Sequence, residues 1–186
     1  MSSVAVQPFS GTYRAEPVPS SFAFAVRHSG VFWYRGSLSD VAATLRGNGD
    51  ALALEGSARV DSISVVQPAA MRASVLGREF FDAERHPELT FRSTAVSLDS
   101  DGLVAVDGDL TIRGVTRPVT ATGRYAAPRQ ASFGEIAGLQ LTTSFDRREF
   151  GFDWQMELPG GGVAVGWDVE VDIDLLLIRE DADADG

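Results

Sequence analysis

The chain has 186 residues, of which 44% are hydrophobic and 23% charged, and its formal net charge at pH 7 is -10. This composition predicts one globular domain and argues against nucleic-acid binding, because a phosphate backbone requires a basic protein surface. All 16 basic residues are arginine and cysteine is absent, which excludes lysine nucleophiles, disulfides and Cys-ligated zinc.

The beginning of the chain, MSSVAVQPFSGTYRAEP, has neither the basic start nor the apolar stretch of a signal peptide. Further along, no run of residues approaches the roughly 18 to 20 apolar residues of a membrane-spanning helix. We therefore expect a cytoplasmic protein that does not span a membrane.

From Ser20 onward, apolar and polar residues alternate with the period of two that is typical of half-buried β-strands. In SFAFAVRH, for example, Phe22, Phe24, Val26 and His28 share one face. Turn-forming pieces such as RGNGD and PGGG separate the alternating segments. Eight strands are predicted, at residues 20–28, 31–46, 50–65, 88–98, 103–112, 117–127, 134–147 and 163–178.

One segment, QPAAMRASVLG, breaks this alternation. Pro68 suits the start of a helix and Gly77 its end, so a short helix is predicted over residues 69–76. Eight antiparallel strands need protected edges, and closure into a barrel protects them most completely. The prediction is an all-β fold, an eight-stranded antiparallel barrel with one short interrupting helix, and a two-sheet sandwich is the alternative. Such a barrel is either filled by side chains or hollow enough for a small ligand.

Four stretches of the sequence resemble a known family. They are FAFAVRHSGV at 22–31, EFFDAERHPELTFRST at 79–94, GDLTIRGVTRPV at 108–119 and RREFG at 147–151. In this order they are similar to the signature stretches of the YceI-like, polyisoprenoid-binding family. The resemblance implies a lipocalin-like barrel with a long apolar channel that binds an isoprenoid chain, such as a quinone tail or a polyprenyl phosphate.

The domain boundaries follow from this resemblance and from the composition of the chain ends. Residues 1–12 are expected to be an N-terminal extension and residues 13–179 the YceI-like, lipocalin-like barrel. Residues 180–186 are acidic and lack an apolar pattern, so they are predicted to form a disordered tail.

The expected ligand-binding residues are aromatic side chains on or beside the strands, one histidine, and two arginines near the channel mouth. They are Phe22, Phe24, His28, Phe32, Trp33, Arg72, Phe91, Phe145, Arg147, Trp154 and Trp167. In the run Phe32-Trp33-Tyr34, the middle residue points to the opposite face from its neighbours. The alternative is that these aromatic side chains plug the end of the barrel.

The sequence does not point to a catalytic or metal centre. His28 and His86 are the only histidines, and a serine hydrolase G-x-S-x-G motif is absent. The acids Glu170, Asp172 and Asp174 fit the solvated face of one strand. We therefore predict no catalytic residue, no metal ligand and no cofactor.

Three functions are considered, and the first is the one that we expect. The first is binding, and shielding or transport, of a long apolar ligand without chemistry. The second is an enzyme that uses the cavity to fold and cyclise a polyene or polyketide, which needs a shaped apolar cavity and few acids or bases. The third is an interaction protein with a filled core. A homodimer is also open, whereas nucleic acid is not an expected partner.

Overall fold

The computed structural model describes residues 7–180, so the first six residues and nearly all of the predicted acidic tail lie outside it. Within this range the chain forms ten strands and one α-helix. The helix, α1, spans Ala69–Leu76, and short 3-10 turns cover Val60–Ser62 and Arg147–Phe150. The strands are β1 Gly11–Ala15, β2 Ser21–His28, β3 Phe32–Leu38, β4 Val41–Asn48, β5 Ala51–Arg59, β6 Glu88–Leu98, β7 Leu103–Ile112, β8 Val115–Ala131, β9 Gly134–Asp146 and β10 Val165–Arg179.

Eight of these strands form a closed ring. The order around it is β1, β4, β5, β6, β7, β8, β9 and β10, and β10 pairs again with β1; every pairing is antiparallel. The predicted eight-stranded barrel is confirmed, and the sandwich alternative is wrong. The prediction of one short helix over residues 69–76 is also confirmed.

The remaining two strands form a hairpin that lengthens the wall at one end. β10 is long enough to pair with β1 at its last residues and with β2 between Val165 and Asp174. β3 pairs with β2 and leads through Ser39 and Asp40 into β4. The predicted strand at 31–46 is therefore two strands, β3 and β4. In the wall, β2 and β1 lie one after the other along β10, and β3 and β4 follow one another in the next position.

Strand β1 was missed in the sequence because it is short and is followed by Pro17 and Pro19. Proline lacks a backbone donor for the sheet ladder, and five residues show too little alternation to stand out. The structure also buries Phe9, which is 2% exposed, inside the barrel. The folded part of the chain thus includes residues from within the predicted N-terminal extension.

A solid core fills the end of the barrel where β1 pairs with β10. Phe9, Tyr13, Leu45, Val106 and Leu177 are among its fully buried side chains. A second apolar cluster surrounds the opposite end, between the β2–β3 hairpin and α1. The side chains at that second end do not fill the interior.

Helix α1 packs against the second apolar cluster through Val75 and Leu76. Arg72 attaches it there, since its guanidinium donates to the carbonyl oxygens of Asp61 at 2.7 Å, Ile63 at 3.2 Å and Val65 at 3.0 Å. In the described part of the chain, no helix has both the length and the apolar character needed to cross a bilayer.

Candidate ligand-binding cavity

The barrel encloses a cavity of about 840 Å³ at the end covered by α1. Inward-facing side chains of the strands form most of its wall, because alternate residues of a strand face the interior. The helix contributes Met71 and Val75, and the segment that follows it contributes Phe80 and Phe81. This volume falls within the range of about 300 to 1,000 Å³ that is usual for small-molecule sites.

Most of the predicted site residues lie on this wall. Strand alternation alone brings Phe22, Phe24 and His28 of β2 to the same inner face. Eight of the eleven predicted residues line the cavity: Phe22, Phe24, His28, Phe32, Phe91, Phe145, Arg147 and Trp154.

Two glycines explain why these large rings leave space between them. A Cβ atom built on Gly36 would come within 2.4 Å of Cζ of Phe24, and a Cβ on Gly108 would meet Cζ of Phe91 at the same distance. The tip of each ring therefore occupies the space that a side chain on the neighbouring strand would fill. The rings cover the wall and do not project across the interior, so the cavity stays open.

Trp33 and Trp167 do not line the cavity. Trp33 lies on the outer face of the hairpin, with the guanidinium carbon of Arg27 5.2 Å from its ring centre. Trp167 would face inward by simple alternation with Val165 and Val169, but an irregularity in β10 between those residues changes its direction. The guanidinium carbons of Arg147 and Arg148 lie 4.4 Å and 4.7 Å from the centre of its ring.

Arg72 and Arg147 are engaged with backbone and not directed at a ligand. The Arg147 side chain is buried, its Nε donates to the carbonyl oxygen of Gly166 at 2.8 Å, and its Nη1 donates to that of Phe152 at 2.6 Å. Nη2 donates to the carbonyl oxygens of Trp154 and Val165. Burial lowers the pKa of Arg147. Arg147 therefore lies on the cavity wall, where its hydrogen bonds join residues 152–154 to residues 165–166.

The polar groups on the wall are few. The ring of His28 stacks on Phe32 at 5.1 Å, and its Nδ1 lies 3.1 Å from the Ser29 hydroxyl. Glu55 is paired with Arg46 and Arg92, and these interactions lower the pKa of its carboxyl. Among residues 7–180 there is no group of three or more histidine and acidic side chains that could hold a metal ion. This cavity wall is suited to binding an apolar ligand.

Sequence reasoning missed several wall residues. Tyr34 has the same alternation as Phe32, so the hairpin pattern could have identified it. Burial raises the pKa of Tyr34. Phe80 also lines the cavity, and its ring centre lies 5.2 Å from that of Trp154. No sequence signal places Phe80 inside, because it lies in an irregular segment.

Comparisons with known proteins agree with this architecture. The YceI-like domain family matches residues 13–177. A UPF0312 protein of Pseudomonas putida strain W619 is 36% identical over 78 residues, which is 41% of each chain, so the match spans less than half the length of that relative. A UPF0312 protein of Shewanella sp. strain W3-18-1 is 27% identical over 139 residues, 73% of each chain.

Solved structures show the same fold. BcnA of Burkholderia cenocepacia superposes with a TM-score of 0.70 at 18% identity, covering 87% of this chain and 98% of BcnA. A polyisoprenoid binding domain from Saccharophagus degradans has a TM-score of 0.64 at 13% identity, covering 90% of this chain and 98% of that domain. Since the family match extends over most of the sequence and the barrel is shared, the chain belongs to the YceI-like family.

Proposed function

We propose that this protein binds and shields a long apolar molecule, a polyisoprenoid such as a prenyl quinone or a polyprenyl phosphate, in its barrel cavity. The observation that carries the proposal is the open cavity of about 840 Å³ with its aromatic and aliphatic wall. A prenyl chain buried there gains about 25 cal/mol for each Å² of apolar surface removed from water. Such a ligand can bind through this contribution with few polar contacts.

Family membership supports the same proposal. The Saccharophagus degradans domain with this fold is described as polyisoprenoid-binding. In the present chain we assign ligand contact to seven of the predicted residues that line the cavity, with Tyr34 and Phe80 added; Arg147 is left out because backbone carbonyl oxygens hold its guanidinium. Trp33, Arg72 and Trp167 are not part of this proposed contact set, because their side chains point elsewhere or are held by backbone.

The experiment is a titration of the purified protein with a prenyl quinone while tryptophan fluorescence is recorded. Trp154 lies on the cavity wall, so bound quinone is expected to quench its emission saturably. Val41→Phe adds a ring at a wall position and should weaken binding by roughly tenfold or more, because it occupies ligand space. Val18→Phe adds the same ring at a residue that is 91% exposed, and should bind like the wild type.

Mass spectrometry of organic extracts then distinguishes a carrier from an enzyme. Protein purified from its native host should release an unaltered long-chain isoprenoid. If a cyclised product is recovered after incubation with a linear polyene, the protein is an enzyme and not a carrier. Absence of saturable quenching in folded protein, with every prenyl quinone and polyene tested, would refute the proposal.

A further inference from the structure

Exposed apolar side chains gather where the cavity opens. Val31, Phe32 and Trp33 are exposed at the turn and first residues of the β2–β3 hairpin, and Val66 and Met71 are exposed before and within α1. Phe32 and Met71 also line the cavity, so the two segments border its opening. We call residues 31–33 and 66–71 the mouth rim. Scattered exposed apolar residues need no explanation, but a cluster around an apolar opening indicates an interaction surface.

The charge of this region differs from that of the whole chain. Residues 17–39 and 62–77 contain no aspartate or glutamate, and they contain three arginines, at positions 27, 35 and 72. The protein nevertheless carries a formal net charge of -10. Glu79, on the cavity wall after α1, is the nearest acid along the chain beyond the second segment. The mouth rim itself has no charged residue, and Arg27 and Arg35 of the hairpin place positive charge beside it on an otherwise acidic molecule.

The tryptophan on the rim is paired with one of these arginines. Arg27 and Trp33 are register partners on adjacent strands, and the guanidinium lies over the indole ring on the outer face. An indole ring has an apolar body and one donor, which suits the boundary between lipid headgroups and acyl chains. An arginine beside it can interact with phosphate at the same depth.

We propose that the mouth rim docks on the surface of a lipid bilayer that contains anionic lipids, with the cavity opening turned toward the acyl chains. The exposed apolar tip would enter the interface and the arginines would meet negatively charged headgroups. A water-insoluble ligand would then pass between bilayer and cavity without crossing water. Transfer of a ligand between bilayer and cavity rests on the proposed function, whereas the docking itself rests on the exposed apolar residues and the arginines beside them.

The test uses purified full-length protein and flotation with large unilamellar vesicles of phosphatidylcholine, with or without phosphatidylglycerol. We expect the protein to float with the mixed vesicles and to be released as salt is raised, because screening weakens the arginine contribution. Arg27→Gln combined with Arg35→Gln should weaken binding by about tenfold at low salt.

A second variant separates docking from ligand binding. Neither Val31 nor Trp33 lines the cavity, so Val31→Asp with Trp33→Ser should reduce vesicle binding by about tenfold or more. Quinone titration without vesicles, read from Trp154, should stay at the wild-type affinity. Phe133→Ser is the matched control, because Phe133 is exposed in the β8–β9 turn at the opposite, closed end of the barrel. It should leave flotation unchanged.

Two results would overturn the docking proposal. One is folded wild-type protein that does not float with either vesicle composition while its quinone binding is intact, which would assign the mouth rim to a protein partner. The other is equal flotation of the wild type and the hairpin variant. Loss of quinone binding with retained flotation would instead refute the proposed function and leave the docking surface in place.

Discussion

At the scale of single residues, glycine decides whether this barrel is hollow. Phe24 and Phe91 could each have projected across the interior, as large core residues do in a filled barrel. Their rings lie against Gly36 and Gly108, where a side chain would leave no room for them. The space for a ligand thus depends on positions that have no side chain.

The first prediction replaces Gly36 with alanine. The added methyl group forces the Phe24 ring away from the wall and into the cavity, so quinone affinity should fall by roughly tenfold and the free energy of unfolding by about 1 to 3 kcal/mol. Fluorescence titration and chemical denaturation measure the two effects. Gly56→Ala is the control, since a Cβ on this wall residue meets only the carbonyl oxygen of Ala42 at 3.5 Å. Equal affinity in the two variants would show that the Phe24 ring does not limit the cavity.

The same residues show which contacts strand alternation can predict and which it cannot. Alternation brought Phe22, Phe24 and His28 to one face, and it placed Trp33 on the face opposite to Phe32. It could not show that Phe24 lies over Gly36, because that contact depends on the register of two strands. Trp167 was assigned inward because an irregularity within a strand leaves no clear mark in the sequence.

At the scale of elements, α1 completes the cavity wall with Met71 and Val75. Its own residues are not fully buried, and it is held by Arg72 and by the half-buried side chains of Val75 and Leu76. The sequence predicted this helix well because Pro68 and Gly77 mark its two ends. It did not predict the attachment, since Arg72 donates to carbonyl groups that any sequence would supply.

The second prediction concerns the helix. Ala73→Pro removes a backbone hydrogen bond from the middle of α1 and clashes with the preceding turn, which should lower the free energy of unfolding by about 3 kcal/mol. Ala69→Pro places the same residue at the first helical position, where proline is tolerated, and should change stability little. Thermal denaturation followed by circular dichroism compares them. Identical melting temperatures for the two variants would contradict a helix that contributes to stability.

At the scale of the whole molecule, the two ends of the barrel have different roles. One end holds the cavity and the mouth rim, whereas the other is a solid core in which the Tyr13 hydroxyl donates to Oε1 of Glu135 at 2.6 Å. Arg179 lies 3.4 Å from the same carboxylate. Burial, and then the hydrogen bond to Glu135, raise the pKa of Tyr13 to about 12. The pKa of Tyr13 therefore depends on whether the closed end of the barrel is folded.

The last prediction uses this group. Because the pKa of Tyr13 is higher in the folded protein than its ordinary value of 10.0, its contribution to stability is complete below pH 10 and is lost as the pH rises toward 12. The free energy of unfolding should fall by about 2 kcal/mol by pH 12. The chain has no lysine, so no lysine titration overlaps this interval.

Urea denaturation at a series of pH values measures this dependence. Tyr13→Phe should be less stable than the wild type near pH 7, because Glu135 loses a donor, and should show a shallower decline in alkali. Tyr34→Phe removes the other tyrosine whose pKa is raised, and thus isolates the share that belongs to the closed end. A wild-type stability that stays constant between pH 9 and 12, or a Tyr13→Phe variant with the wild-type slope, would show that this tyrosine does not link protonation to folding.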